Sequence, residues 1–194
     1  MSPSNCRTRC GAKILIPTGA RTISLAFGRT AFSMVPLWIG AETFWVVNVP
    51  FGQILRISPQ GEWTVAAEYD GNPNGLKIHK DGQIYIADYK NGIMKLDPSS
   101  GKVSEHRTRI RTEPFRGCND LHFATNGDLY FTDQGQSDLQ RPDGRVFRLT
   151  PDDQLECLID CGVSPNLVGI GGECGRQYKQ SIIACREPDG ASRR

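Results

Sequence analysis

Short apolar runs separated by turn signals follow one another along most of the chain. PNGLKIHKDGQIYIADY, from Pro73, and CNDLHFATNGDLYFTDQ, from Cys118, share one plan. Each opens on a polar pair or an Asn, runs into a short strand, turns at a Gly and closes with a second strand ending on Asp. Asn126-Gly127 lies between two β-rich runs, a hairpin signal, because Gly accepts the positive φ of a tight turn. In QIYIAD the apolar Ile84 and Ile86 share one face of a period-two strand. Helical periodicity is almost absent, so the pattern predicts an all-β chain.

Superposing the two strings puts Asn74 on Asn119, Gly82 on Gly127, Tyr85 on Tyr130 and Asp88 on Asp133, a gap-free offset of 45 residues. A weaker copy, FWVVNVP, sets Trp45 over Tyr85 and Asn48 over Asp88. A third strand follows each copy, from Gly52, Gly92 and Gly144, and a fourth follows at 62–69, 102–108 and 155–160. Four strands per unit at roughly 40–45 residues is the period of a β-propeller blade. One blade ends near Tyr69, a second spans Asn74 to Arg111, a third spans Asn119 to Cys161, and Ser164-Pro165-Asn166 opens a fourth inner strand. Propellers close with about four to eight blades. Three to four leave exposed strand edges, which predict self-association.

The length of 194 residues suits one domain with a sizeable core. A net charge of +2, without a basic patch interleaved with aromatics, excludes nucleic acid as the expected partner. Residues 1–41 hold five basic residues and no acid, which leaves 18 basic against 21 acidic residues in the remainder. Such an N-terminus reads either as an irregular leader, the favoured reading, or as a mitochondrial transit peptide. The apolar run Ile14–Pro17 is short and Arg29 interrupts the next, so neither a secretory signal nor a membrane span is expected. Seven cysteines, two pairs of them spaced CxxxC, argue against zinc and for reduced thiols in a cytoplasmic protein. The expected division is a leader over 1–33, a partial propeller over 34–167 and an irregular tail over 168–194.

The strings VVNVPFGQILRISPQGEW, PNGLKIHKDGQIYIADY, CNDLHFATNGDLYFTD and PDGRVFRLTPDDQLECLIDCGVSPN resemble the senescence marker protein/gluconolactonase/luciferin-regenerating-enzyme family over about residues 34–167. The resemblance implies a six-bladed propeller and a divalent-metal-dependent, usually calcium-dependent, hydrolase of lactones or related esters. Calcium takes six to eight oxygen ligands, which Asn amides and carboxylates supply. By resemblance, Asn166 in the PNG-type motif is a metal ligand, Asn119 in the ND motif is a metal ligand or substrate contact, and Asp120 lies just behind them. Asn74 holds the same repeat position and stands evenly between an axial-pocket role and that of a turn residue bonding its own backbone. Asp88 and Asp133 read as caps of the turns they precede, and His79 and His122 as core or strand-surface histidines.

Two departures qualify the expectation. Met34 falls where the family carries a Glu ligand, and a thioether is a poor partner for a hard cation; Glu42 is out of register for that place. After Asn166 the text LVGIGGECGRQYKQ leaves the family pattern, so the late Asp ligand has no counterpart. The abruptness of both implies an altered reading frame or splicing. No catalytic residue is identified. The expected function is a calcium-dependent lactonase or esterase, inactive as this chain. The alternative is a non-catalytic half-propeller that serves as a binding module.

Overall fold

The computed structural model describes residues 43–166 with their side chains, together with short backbone strands at 11–15, 22–26, 37–39, 168–170 and 183–185. Two compact units are distinguished, Met1–Phe32 and Ser33–Arg194. The first contains an antiparallel hairpin of β1 (Gly11–Leu15) and β2 (Thr22–Ala26), paired from Gly11↔Ala26 to Leu15↔Thr22.

The second unit is built from three four-stranded antiparallel sheets, each a meander in chain order. The first sheet contains β3 (Leu37–Ile39), β4 (Thr43–Asn48), β5 (Gln53–Ile57) and β6 (Trp63–Glu68). The second contains β7 (Pro73–Ile78), β8 (Ile84–Asp88), β9 (Gly92–Leu96) and β10 (Val103–Arg107). A small ribbon of β11 (Arg109–Ile110) and β12 (Glu113–Pro114) precedes the third sheet. That sheet comprises β13 (Cys118–Phe123), β14 (Leu129–Asp133), β15 (Gly144–Leu149) and β16 (Leu155–Gly162). These are three propeller blades, and the inner strands β7 and β13 run side by side. Beyond them β17 (Val168–Ile170) lies beside β13 and pairs in parallel with β18 (Ile183–Cys185). The chain is an all-β partial propeller, and the repeat seen in the sequence is its blade.

The alternation along the second strands carries more than one buried face. All five residues of β8 and all five of β14 are buried. In β8, Ile84 and Ile86 pack with Trp45, Val47 and Ile54 of the first blade. The intervening Tyr85 and Ala87 pack with Leu121, Phe131 and Phe147 of the third. A blade is sandwiched between neighbours, so period two here decides which neighbour a side chain meets rather than core against water. Outer strands read differently: β10 and β16 expose most of their residues.

Two short elements fall within segments for which the sequence predicts irregular structure: the hairpin β1–β2 in 1–33, and the pair β17–β18 in 168–194. The rest of both segments, with Met34 and Glu42, lies outside the described residues.

Candidate functional site

One rim of the blades gathers the starts of the inner strands and the ends of the second strands. There the two best-matched blades carry the same defect. In β7–β8 the register slips between Pro73↔Asp88 and Gly75↔Ala87, and in β13–β14 between Cys118↔Asp133 and Leu121↔Phe131. Such a β-bulge leaves residues without ladder partners and re-aims their side chains. Asn74 occupies the bulge of the second blade, and Asn119-Asp120 occupies that of the third.

The third-blade bulge satisfies its backbone through side chains. Asp120 N–H donates to Thr132 Oγ1 at 3.0 Å, and Leu121 N–H donates to Asp120 Oδ1 at 2.8 Å. Asp120 is buried, whereas Asn74, Asn119 and Asn166 are half-buried. The Asn119 amide NH2 donates to Gln134 Oε1. Inter-blade packing at this point is close: a Cβ on Gly75 would lie 2.8 Å from Asn119 O and 3.0 Å from Asp120 Oδ1. Asn74, Asn119 and Asp120 therefore share one inter-blade seam.

Asn166 opens the segment leading into β17, the strand on the other side of β13. Its approach is tied to the third blade, where Ser164 N–H donates to Ser137 Oγ at 3.1 Å and Ser164 Oγ–H to Ser137 O at 2.6 Å. Pro165, buried beside Asn166, fills the space over Gly144.

The aspartates that close the second strands are both buried, but they do different work. Asp88 Oδ1 caps the turn after β8, accepting from Lys90 N–H and Asn91 N–H, each at 2.8 Å. Its Oδ2 accepts from Tyr69 Oη at 2.7 Å. Asp133 reaches back instead, accepting from Gly117 N–H at 2.7 Å and from Arg145 Nε at 2.9 Å. In the first blade the equivalent residue is Asn48, whose Oδ1 is buried with no hydrogen-bond partner among the described residues. Pro50 removes one of the two donors that Asp88 uses, because the position matching Lys90 has no N–H there.

Sequence reasoning did not single out Gln134, Ser137 and Arg145. Gln134 is the last residue of the repeated string, over Tyr89, where its residue type differs, and the other two become legible only when the loop after β14 folds back. Burial pushes the Cys118 thiol well up, with Asp133 and Asp88 adding to it, so Cys118 is a core residue of the seam. His79 packs its ring against Phe123 and Tyr85, with centroids 4.6 and 5.6 Å away. Those residues line a cleft of about 220 Å³ at the opposite rim, where the inner strands end. Among the described residues no group of three or more His, Cys, Asp and Glu side chains is placed to hold a metal. Donors within the two bulges are carboxamide oxygens and the Asp120 carboxylate, since Asp88 and Asp133 are taken up by protein partners; this is an all-oxygen set of the kind that suits calcium. No helix among the described residues is long and apolar enough to cross a membrane.

The family model described as SMP-30/gluconolactonase/LRE-like region matches residues 32–173, which include all three blades. The chain belongs to this family. It is similar to a gluconolactonase of Zymomonas mobilis, 32% identical over 167 residues, covering 74% of this chain and 47% of the relative. Lactonase drp35 of Staphylococcus aureus is 30% identical over 115 residues, covering 55% of this chain and 34% of the relative. Among solved structures, a gluconolactonase of Xanthomonas campestris superposes with a TM-score of 0.59 at 21% identity, covering 68% of this chain and 48% of that one. A virginiamycin B lyase of Staphylococcus aureus superposes with a TM-score of 0.54 at 14% identity, covering 73% and 46%. At those identities the superpositions speak for the fold. The family member described here spans about half the length of the gluconolactonases it matches.

Proposed function

We propose that the bulge rim is the cation- and substrate-binding face of a lactone- or ester-hydrolysing propeller. To that face the blades contribute Asn119 as a neutral oxygen ligand, Asp120 as the carboxylate behind it and Asn74 as a pocket residue, and the segment after the third blade contributes Asn166 as a second neutral ligand. The observation that supports this most is the repeated bulge, which lifts the Asn of two successive inner strands out of the ladder at the same rim. An Asn serving only as a strand-end turn residue does not require a matched register slip in both blades. Family membership adds weight, since relatives named as gluconolactonase and lactonase share this stretch of chain.

A calcium ion bound there supplies Lewis-acid polarisation of a substrate carbonyl. The chain's own part is to hold oxygen atoms in place. Asn119 is fixed through Gln134, and Asp120 through Thr132 and the Leu121 N–H. No residue of the described set is proposed as a general base. Calcium affinity rises with the number of charged ligands and with site rigidity. One carboxylate beside neutral amides places the 194-residue chain at the weak end, about 10⁻⁴–10⁻³ M. We expect no hydrolysis of a sugar lactone above the buffer rate from these residues alone.

Calorimetric titration of the chain with calcium chloride, repeated on Asn119→Ala, tests the reading. Millimolar binding that weakens further in the variant supports it. Micromolar binding lost in the variant would overturn the weak-site reading while keeping the site. No saturable calcium response in either would remove the cation from the proposal.

A further inference from the structure

We infer that the loop Gln134–Ser137 is a brace for the proposed cation face, with Gln134 and Ser137 as positioning residues that hold Asn119 and the Asn166 segment in one arrangement. This rests on the reading of the bulge rim given above. The loop leaves the end of β14 and touches the turn after β8 on one side of the third blade and the segment leading to Asn166 on the other. On one side, Tyr89 of the second blade donates its hydroxyl to Gly135 O at 3.1 Å, and Gly135 N–H donates to Gly117 O at 3.2 Å. On the other side, Ser137 Oγ donates to Gln134 O at 2.6 Å and accepts from Ser164 N–H at 3.1 Å. Ser137 O receives the Ser164 hydroxyl at 2.6 Å. Ser137 is only 5% exposed, so its own hydrogen bonds are partly shielded from competing water.

Gln134 ties the two halves together. Its carbonyl anchors Ser137 and through it Ser164, two residues before Asn166. Its side-chain oxygen accepts the amide NH2 of Asn119. A carboxamide presents its oxygen and its NH2 in opposite directions. Holding the NH2 against Gln134 therefore turns Asn119 Oδ1 the other way, as an acceptor available to a cation. The flipped amide would present N–H donors in its place and repel the ion. With its side-chain oxygen facing Asn119, Gln134 sets the polarity of the Asn119 ligand without touching the ion.

The test separates this inference from the function it rests on. Side-chain amide resonances of Asn119, assigned in the full chain by comparison with Asn119→Ala, report its hydrogen bond without any metal. In Gln134→Met, which keeps the bulk and loses the acceptor, the two Asn119 amide protons are expected to move to the solvent-exposed pattern. In Gln134→Glu, which keeps an acceptor, they should retain the wild-type separation. A calcium titration followed by the same resonances should weaken about fivefold in Gln134→Met, the size of one ordinary hydrogen bond, and in Gln134→Glu should match or exceed the wild type, since the added carboxylate also favours the cation. Ser137→Ala should shift the Asn166 amide while leaving the Asn119 pair in place. Wild-type-like Asn119 signals in Gln134→Met would overturn the inference, as would equal losses in the Met and Glu variants. If the wild type shows no saturable calcium shift, the proposed cation face fails, and the metal-free amide signals alone decide whether Gln134 orients Asn119.

Discussion

The phenol of Tyr69, just past the outer strand of the first blade, donates to the fully buried Asp88 of the second at 2.7 Å. The bond crosses a blade boundary, and Gly71 leaves room for it: a Cβ there would lie 2.4 Å from Asp88 Oδ2. Burial first, and Asp88 second, hold the Tyr69 hydroxyl protonated far above the ordinary phenol range. Hydrogen bonds to charged groups contribute about 1.5–3 kcal/mol. Tyr69→Phe keeps the ring and strips the donor, so urea unfolding should show a loss of that order. A loss under about 0.5 kcal/mol would mean that water replaces the phenol.

Arg145 is the counterpart on the third blade. Its guanidinium, 8% exposed, holds Asp133, which is fully buried, and Glu113 Oε1 at 3.1 Å. Removing one partner of a buried pair strands the other charge and costs about 3–5 kcal/mol. Arg145→Met should unfold at markedly lower denaturant. Arg145→Met with Asp133→Asn should recover part of the loss, because no uncompensated carboxylate is left behind. Additive losses in the double variant would contradict the pairing.

The repeat made the blades legible. A 45-residue register placed Asn74 over Asn119 and Asp88 over Asp133, and the strand pairings Pro73↔Asp88 and Cys118↔Asp133 repeat in the same way. Alternation gives the strand and the shared face of Ile84 and Ile86 but not the burial of the opposite face, because a blade between two neighbours has no solvent face for Tyr85 or Ala87 to take. What stayed hidden depends on chain outside the repeat. Glu113 sits in the β11–β12 insertion, and the loop carrying Gln134 and Ser137 runs over 134–143, where the second blade has only the short turn 89–91. No local propensity announces that Ser137 will meet Ser164. The Asp88 cap was foreseeable from Asx-turn chemistry; the Asp133–Arg145 clamp was not, since it needs the sheet folded before the two residues meet.

His122, half-buried on β13, has its imidazole pushed below the ordinary 6.5 by burial first and by Lys77 second, with Asp120 opposing. The unfolded chain then takes the proton more readily than the folded one, so protonation favours unfolding. The stability contributed by neutral His122 is complete above about pH 6.5 and is lost as pH falls through the depressed folded value. Urea midpoints should therefore drop between pH 8 and pH 5.5, and His122→Gln should flatten the slope. A slope unchanged by the substitution would remove His122 from the account.

The seam between the second and third blades depends on Gly75 lacking a side chain. A Cβ would approach Asn119 O to 2.8 Å and Asp120 Oδ1 to 3.0 Å, and two of the three nearest atoms are backbone of the facing strand. Backbone cannot swing aside as the end of a flexible side chain can, so the inner strands must separate. Overpacking of this kind costs about 1–3 kcal/mol. Gly82 is the internal control: at φ 81° it turns the β7–β8 hairpin, and a Cβ there meets nothing within 4 Å. Gly82→Ala should cost about 1 kcal/mol through left-handed backbone strain alone and leave the bulge rim unchanged. Gly75→Ala should cost as much or more and also shift the Asn119 and Asp120 backbone amide resonances, because the clash is at those atoms. Equal stability losses with the Asn119 and Asp120 resonances unmoved in both variants would show that the seam yields elsewhere. The close approach of Gly75 would then not be what sets the position of the asparagine bulge.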